Sequence, residues 1–320
     1  MYKKILSGAL VCLCVVSCGK NDIVADSNGT GDIENSDKVL PGQPEKKITG
    51  LSVWHWGYEN RFYGINKIIL DESKSRETID SYLKNSVTRV YGGYSKIPGH
   101  SAQKVNLANW NTKLHQSGIK SIYLVGNAQW IYPENRQEML DYMMTYYVKF
   151  NLSVPSEARL KGLHLDFEPH QLKEWKTATL KRKLELLYLL KDTYRDLRSL
   201  LVQNGMESDE IIADIPTWFD EETAIGWSSE SEKINWFNDA AKYLNGFTIM
   251  AYELQSIPTI IHRTSWERMN FNRIIQIGLN ADEIGSIWTG KNDIIKALNG
   301  IEIQTQTPVA IHNYTTFMEN

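Results

Sequence analysis

Cysteine is scarce in this 320-residue chain, and its three cysteines all stand near the N-terminus, at Cys12, Cys14 and Cys18. A network of disulfides, which holds many small secreted domains together, is therefore excluded for the rest of the chain. The core must stabilise the fold without covalent cross-links. The apolar run at residues 5–16 has about a dozen residues, which is too short for a helix that spans a membrane.

Basic charge and known catalytic motifs are lacking as well. Lys and Arg number 35 against 38 Asp and Glu, for a formal net charge of −3. No basic stripe stands out, so we expect no nucleic-acid partner. The histidines are scattered, without a compact metal-ligand spacing such as HExxH, and no serine or cysteine nucleophile motif occurs. We therefore expect no metal and no cofactor.

The N-terminus has the pattern of a targeting segment, because Lys3 and Lys4 precede the apolar run and small residues lead up to Cys18 in "VVSCG". This pattern resembles the bacterial lipoprotein signal, which implies that residues 1–17 are removed and that Cys18 carries lipid. A plain secretory signal is the alternative. The resemblance implies a lipid anchor in a bacterial membrane. Gly19 favours the outer membrane, on its periplasmic or cell-surface face.

Residues 18–47 have the composition of a flexible tether, since they lack hydrophobic periodicity and are rich in Gly, Asn, Asp, Ser and Pro. No later segment has the composition of a linker. We therefore predict that residues 48–320 form a single domain, close in size to the ~250 residues of a (β/α)8 barrel.

Strand-like and helix-like segments alternate through this domain. Helical patterns occur at residues 75–85, 107–117, 133–150, 179–203, 231–244 and 292–299. Short apolar, β-branched or aromatic runs occur at residues 48–54, 86–91, 121–125, 160–167, 211–215, 246–252, 273–279 and 308–314. Alternating β and α units indicate a parallel sheet, and eight of them indicate closure into a (β/α)8 TIM barrel of the α/β class. An open doubly wound sheet is the alternative, but no glycine-rich phosphate loop follows the first strand.

Aromatic and polar side chains collect at or just after the ends of these predicted strands, where barrels of this type place their active sites. Aromatic rings stack on the C–H-rich faces of sugars and polar groups bind hydroxyls, so the set predicts a glycan site. For any single Trp, packing at the barrel top is an equal alternative. The predicted glycan-binding residues are Trp54, Trp56, Tyr91, Asn127, Trp130, His164, Asp214, Trp218, Glu253, Glu283 and His312.

The fourth predicted strand contains the stretch "LKGLHLDFEPH" at residues 160–170. Because side chains alternate along a strand, His164, Asp166 and Glu168 share one face, which is the barrel interior. Two neighbouring carboxyls repel, so one pKa should rise, and a carboxyl that stays protonated near neutral pH suits a general acid. We predict that Glu168 is this acid and that Asp166 stays ionised to orient another group.

The stretch "KGLHLDFE" resembles the fourth-strand signature DGxDxDxE of family 18 glycoside hydrolases, which include chitinases and endo-β-N-acetylglucosaminidases. Gly162, Asp166 and Glu168 match the signature, while Lys161 and His164 stand where the family has Asp. On the sixth predicted strand, "IMAYE" at residues 249–253 resembles the family's Met-x-Tyr-Asp, with Glu in the last position.

This resemblance implies a substrate-assisted retaining mechanism on a glycan that contains N-acetylglucosamine. Glu168 would protonate the glycosidic oxygen, and the 2-acetamido carbonyl of the substrate would attack the anomeric carbon. Asp166 would hold the acetamide N–H, and Tyr252 would donate its hydroxyl to the carbonyl oxygen. His164 changes the proton balance: a neutral imidazole could hydrogen-bond Asp166, and a protonated one would keep it ionised.

Two alternatives stay open from the residues themselves. In a two-carboxylate glycosidase, Glu168 would work with Asp214, Glu253 or Glu283, and the substrate would need no acetamide. A non-catalytic barrel, tethered at the surface, would capture glycans without cleaving them. The enzyme is favoured because the acid is retained. The partners that this interpretation implies are a glycan substrate, the membrane through the lipid anchor, and other glycan-uptake proteins.

Overall fold

The structure is a computed structural model that describes residues 50–58, 60–271 and 273–320. The signal peptide, the lipidation at Cys18 and the tether, all predicted from sequence, lie outside these residues. Within them, all eight predicted strands occur. They are β1 Leu51–His55, β2 Val87–Gly92, β3 Lys120–Val125, β4 Gly162–Leu165, β5 Glu210–Pro216, β6 Gly246–Met250, β7 Ile274–Asn280 and β8 Val309–His312.

The strands form one closed parallel barrel. Each strand pairs with the next in the chain, and β8 pairs back to β1 where Ala310 and Ile311 lie beside Ser52 and Val53. The predicted (β/α)8 TIM barrel is therefore confirmed. Its carboxyl-terminal rim, where all eight strands end, is the place at which this fold gathers functional side chains.

Helices surround the barrel. In the described residues they are α1 Ile65–Ile68, α2 Glu72–Lys84, α3 Gln103–Gln116, α4 Arg136–Met143, α5 Lys149–Ser153, α6 Leu180–Gln203, α7 Glu222–Ile225, α8 Glu230–Ala240, α9 Ile257–Arg263, α10 Ser265–Asn270, α11 Lys291–Thr305 and α12 Tyr314–Glu319. A π-helical turn, Met144–Val148, joins α4 to α5, where the sequence predicted one continuous helix. None of the described helices has both the length and the apolar character needed to cross a membrane.

The longest helix, α6, shows how local chemistry fixes an element. The side chain of Thr179 accepts a hydrogen bond from the backbone N–H of Arg182 at 3.2 Å and so caps the first turn. Leucines at helical spacing, among them Leu186, Leu190 and Leu197, are fully buried in the main apolar core. That core contains strand residues as well, so the helix packs against the barrel wall.

The two ends of the barrel interior differ in their charge. Near the amino-terminal end, Arg89 of β2 forms a buried ion pair with Glu210, which begins β5, and the Nζ atom of Lys120 lies 3.2 Å from the same carboxylate. Above this pair, Trp54, Tyr91 and Leu124 belong to a small apolar cluster. The carboxyl group of Glu210 is thus neutralised by two cations, which is not the case for the acids at the opposite rim.

The fourth strand is shorter than predicted, because it ends at Leu165 rather than at Phe167. The backbone N–H of Asp166 still donates to the carbonyl of Val125 at 2.9 Å, after which the chain turns into the 3₁₀ segment Pro169–Gln171. The sixth strand similarly ends at Met250, before Tyr252. The candidate catalytic side chains therefore follow the strand ends and face the rim.

Candidate active site

The register of β4 against β5 brings two acids side by side. Leu165 lies beside Ala213, so the following residues, Asp166 and Asp214, occupy the same level of the barrel. Neighbouring parallel strands lie about 4.8 Å apart, and residues at one level face the same way. The interior of the barrel at this level therefore contains two adjacent carboxyl groups.

Asp214 is held by two hydrogen bonds. Its Oδ1 atom lies 2.7 Å from Nε2 of His164, and its Oδ2 atom accepts from Nε1 of Trp54 at 3.0 Å. All three side chains are almost completely enclosed, and His164 also stacks on Tyr91 with ring centroids 3.7 Å apart. Strands β1, β4 and β5 are thus joined through this carboxyl group.

His164 bonds to a different acid from the one considered in the sequence. A neutral imidazole could have bonded to Asp166, but Nε2 bonds to Asp214, and the buried Nδ1 has no hydrogen-bond partner in the described part of the chain. Burial lowers the pKa of His164 to about 3, so the imidazole is neutral near pH 7. Since an unpaired buried N–H is rarer than an unpaired acceptor, we place the single ring proton on Nε2, where it donates to Asp214.

Glu168 combines burial with nearby negative charge. Its side chain is 8% exposed, and no Lys or Arg in the described residues forms an ion pair with it. Burial, followed by the charges of Asp166 and Asp214, raises the pKa of Glu168 well above that of an ordinary glutamate. The carboxyl group is therefore protonated near neutral pH, as a general acid must be.

Asp166, which the sequence predicts to stay ionised, has a second acid beside it at the same level of the barrel. Burial, and next the charge of Asp214, raises its pKa, because the neighbouring strand supplies a second carboxyl group at the same level. Its carboxyl group packs against Gly126, where an added Cβ would lie only 3.2 Å from Asp166 Oδ2. A substrate N–H that donates to Asp166 would favour its charged form.

Tyr252 supplies a hydroxyl group that the protein leaves unused. This oxygen is shielded from solvent and has no hydrogen-bond partner among the described residues. Burial, followed by the charges of Asp214, Asp166, Glu168 and Glu283, raises the pKa of Tyr252, so the phenol remains a donor. Since buried hydroxyls normally find partners, a free one near four acids indicates a place for a ligand.

His170, which is absent from the predicted contacts, lies beside the candidate acid. Its Nε2 atom is 3.7 Å from Oε1 of Glu168, and its ring meets Trp218 edge-on, with centroids 5.3 Å apart. Burial lowers the pKa of His170 to about 4, so it adds no positive charge near neutral pH. Trp175 continues this aromatic group beside Trp218. Alternation along "DFEPH" puts His170 in step with Glu168, but the contact itself depends on the turn at Pro169–Gln171.

A second polar group occupies the rim between β8 and β1. His312 accepts a hydrogen bond from Nε1 of Trp56 at 3.1 Å and lies 3.1 Å from Oδ1 of Asn280 through its Nδ1 atom. Burial lowers the pKa of His312 to about 4, so its ring is neutral with the proton on Nδ1. The Tyr252 ring lies 5.3 Å away, centroid to centroid. This group therefore lies beside Tyr252 at the same rim.

The acids after β6 and β7 are linked through the backbone. Glu283 is 8% exposed, and its Oε1 atom accepts from the backbone N–H of Glu253 at 2.7 Å. Glu253 adopts a left-handed conformation, with φ at +61°, that is uncommon for residues other than glycine. The Glu283 carboxyl therefore holds a strained turn directly after Tyr252, while the Glu253 side chain is exposed.

Several predicted glycan contacts lie below the surface instead. Trp54 and Tyr91 are 1% and 0% exposed and pack inside the barrel, and Trp130 is also buried, against Phe167. These large rings are buried because their positions face inward or are covered by loops. They therefore fit the alternative given above, in which the ring packs in the barrel instead of contacting a glycan. Trp56 and Trp218 are partly exposed at the rim, and Asn127 is partly exposed while capping a 3₁₀ turn. In the described residues, no group of three or more His, Cys, Asp or Glu side chains is arranged to hold a metal ion.

Comparisons with known proteins show the fold. No protein-family model and no curated protein sequence matches this chain. The barrel is similar to a solved GH18 chitinase from Pseudoalteromonas aurantia, with a TM-score of 0.56 and 10% identity over 84% of this chain and 95% of that one. It is also similar to a chitinase from Bacteroides thetaiotaomicron, with a TM-score of 0.51 and 10% identity over 84% of this chain and 91% of that one. A third similar structure is the exo-β-1,4-mannosidase Op5Man5 from Opitutaceae bacterium strain TAV5. Its TM-score is 0.52, with 10% identity over 82% of this chain and 51% of that one.

Proposed function

We propose that this protein is a glycoside hydrolase that cleaves glycans containing N-acetylglucosamine by a substrate-assisted retaining mechanism. The observation that carries the proposal is the state of Glu168. It is an enclosed carboxyl at the barrel rim, no Lys or Arg of the described residues pairs with it, and its pKa is raised by burial and by two neighbouring acids. Such a group has little use in stabilising the fold, because a buried acid without a partner is costly.

The proposed reaction begins with proton transfer from Glu168 to the glycosidic oxygen. As the bond between the anomeric carbon and that oxygen breaks, the acetamide carbonyl oxygen of the same sugar bonds to the anomeric carbon. The leaving sugar departs with the proton. A cyclic oxazolinium remains, and its nitrogen carries the hydrogen that Asp166 accepts. The Tyr252 hydroxyl donates to the acetamide oxygen and holds it near the anomeric carbon.

The second half of the reaction reverses the role of Glu168. Its carboxylate takes a proton from water as the water oxygen attacks the anomeric carbon on the face that the leaving group vacated. The bond to the acetamide oxygen then breaks, the acetamide is restored, and the product keeps the original anomeric configuration. The likeness of the barrel to two solved chitinases is consistent with this chemistry but, at 10% identity, supports only the fold.

The direct test is incubation of the protein with a library of defined glycans, followed by mass spectrometry. We expect cleavage next to an N-acetylglucosamine residue and none in the matched glycans whose acetamide is replaced by hydroxyl. Equal cleavage of both sets would favour a two-carboxylate glycosidase. Binding without cleavage of any glycan would favour a capture protein.

An oxazoline-mimicking thiazoline of N-acetylglucosamine should inhibit the hydrolysis competitively. The physical reason is that its ring reproduces the cyclic intermediate, whose nitrogen and oxygen side would meet Asp166 and Tyr252. Inhibition constants measured for the thiazoline and for free N-acetylglucosamine provide the comparison. An active enzyme that binds the thiazoline no better than the free sugar would contradict the substrate-assisted mechanism.

We also propose that the barrel is anchored through lipid on Cys18, in the outer membrane, facing the periplasm or the cell surface. The support is the sequence pattern before Cys18. In a bacterium that expresses the full chain, Cys18→Ser should abolish incorporation of labelled fatty acid and move the protein to the soluble fraction. Cys14→Ser is the matched control and should leave both unchanged. A Cys18→Ser protein that still takes up label and stays in the membrane fraction would rule out this anchor.

A further inference from the structure

Three acids share the negative charge at the barrel rim, and one of them is best placed to carry it. Asp166, Glu168 and Asp214 are close enough for their charges to affect one another, and no Lys or Arg of the described chain pairs with any of them. Three adjacent enclosed carboxyls cannot all ionise near neutral pH. Hydrogen bonding decides which of them ionises first.

Asp214 is the best placed to carry this charge. Trp54 donates to one of its oxygens and His164 to the other, whereas no hydrogen bond from the described residues reaches the carboxyl groups of Asp166 or Glu168. Donors aimed at a carboxylate favour its ionised form. Burial opposes this by raising the pKa of Asp214, as it does for its two neighbours.

We propose that Asp214 is the positioning residue of the active site: Trp54 and His164 fix its carboxylate beside Asp166, and this charge keeps the proton on Glu168. The role rests on the proposed function, in which Glu168 is the acid. It differs from the predicted contact with the glycan, since Asp214 is 3% exposed and both oxygens are occupied.

The other groups around Asp214 do not neutralise it. Near neutral pH, neither His164 nor the nearby tyrosines carry charge. Arg89 lies on the amino-terminal side, where its charge affects the pKa values of His164 and Tyr91, and it is itself paired with Glu210. The titratable and charged groups that face Asp214 or its partner His164 are Arg89 and Tyr91 on β2, His164 on β4, Asp166 and Glu168 beyond it, Tyr194 on α6 and Tyr252 after β6.

The test is a titration of Glu168 in the full protein without substrate. Carbon-13 labelling of glutamate carboxyls, with the Glu168 signal assigned by its loss in Glu168→Gln, gives the midpoint by NMR. In Asp214→Asn the midpoint should fall by about one pH unit or more, because a neighbouring negative charge has gone. Asp214→Ser, which also lacks the charge but is smaller, should shift it in the same direction.

The matched control is Asp209→Asn, the same substitution just before the start of β5, where the Asp209 carboxylate accepts from Tyr147. It should leave the Glu168 midpoint unchanged. If Asp214→Asn and Asp214→Ser both titrate like the wild type at Glu168, the positioning role is overturned. If the midpoint falls but the wild type cleaves no glycan, the positioning role stands and the proposed hydrolysis fails.

Activity provides a second readout. Loss of the Asp214 charge makes Glu168 deprotonate at lower pH, so the alkaline limb of the kcat/KM profile should move to lower pH by the same amount as the NMR midpoint. A uniformly lower rate with an unmoved alkaline limb would show a merely structural role for Asp214 and would contradict the proposal.

Discussion

Replacement of Glu168 by Gln should lower kcat/KM for glycan hydrolysis by about 10²–10⁴-fold, the usual contribution of a general acid. Gln has the shape of the protonated carboxyl but holds its protons too tightly to give one to the glycosidic oxygen. The carboxyl is neutral near pH 7 in the wild type, because burial and two neighbouring acids raise its pKa. Binding of the glycan, measured by calorimetry, should therefore be nearly unchanged.

Glu267→Gln is the matched control for this loss. Glu267 on α10 is 0% exposed, neither of its carboxyl oxygens has a partner in the described residues, and burial raises its pKa to about 8. It is thus a second buried, neutral glutamate, outside the candidate active site. The control should hydrolyse at the wild-type rate. A Glu168→Gln protein with the wild-type rate on the same glycan would remove Glu168 from the role of acid.

The barrel was predictable from sequence because its strands are short apolar runs separated by amphipathic helices. Alternation along "LHLDFE" also placed His164 and Asp166 on the interior face correctly, since side-chain direction follows from backbone geometry alone. The last residues of β4 and β6 could not be predicted as well, because a strand ends where its hydrogen bonds to the neighbouring strand end. For β4 this occurs at Leu165, before the apolar run is over.

The interaction of His164 with Asp214 could not be predicted from the same pattern. It depends on the register between β4 and β5, which places Asp166 level with Asp214, and on the Trp54 indole that reaches across from β1. Fifty residues and a long helix separate His164 from Asp214 in the chain. Nothing local in either segment indicates which acid the imidazole meets.

For a related reason, the sequence could not show which of the aromatic residues are buried. A Trp after a strand can stack on a sugar or fill the barrel, and the two cases look alike in the sequence. The structure separates them: Trp54 is enclosed beside Gly278, whose missing side chain leaves room for the indole, while Trp218 remains partly exposed. Gly278 on β7 therefore leaves the space that the Trp54 indole on β1 occupies.

Replacement of Tyr252 by Phe should lower kcat by about 10²–10³-fold, the typical cost of removing one preorganised donor from a developing charge. The hydroxyl is enclosed and makes no hydrogen bond within the described protein, so its donor is available to the acetamide oxygen when the substrate binds. The thermal stability should stay equal or rise slightly, because the substitution removes an unpaired buried polar group rather than a hydrogen bond.

Tyr194→Phe provides the comparison that separates chemistry from packing. Tyr194 on α6 is also fully buried in the main apolar core, and its hydroxyl also lacks a partner in the described residues. The charge of Asp214 reaches it as it reaches Tyr252, but only Tyr252 also lies near Asp166 and Glu168. Both variants lose one unpaired buried hydroxyl, so calorimetry should give them similar, small changes in Tm. Only Tyr252→Phe should lose activity. Equal rates for the two variants would show that the unpaired hydroxyl of Tyr252 is a packing defect like that of Tyr194, and the acetamide would then need another donor.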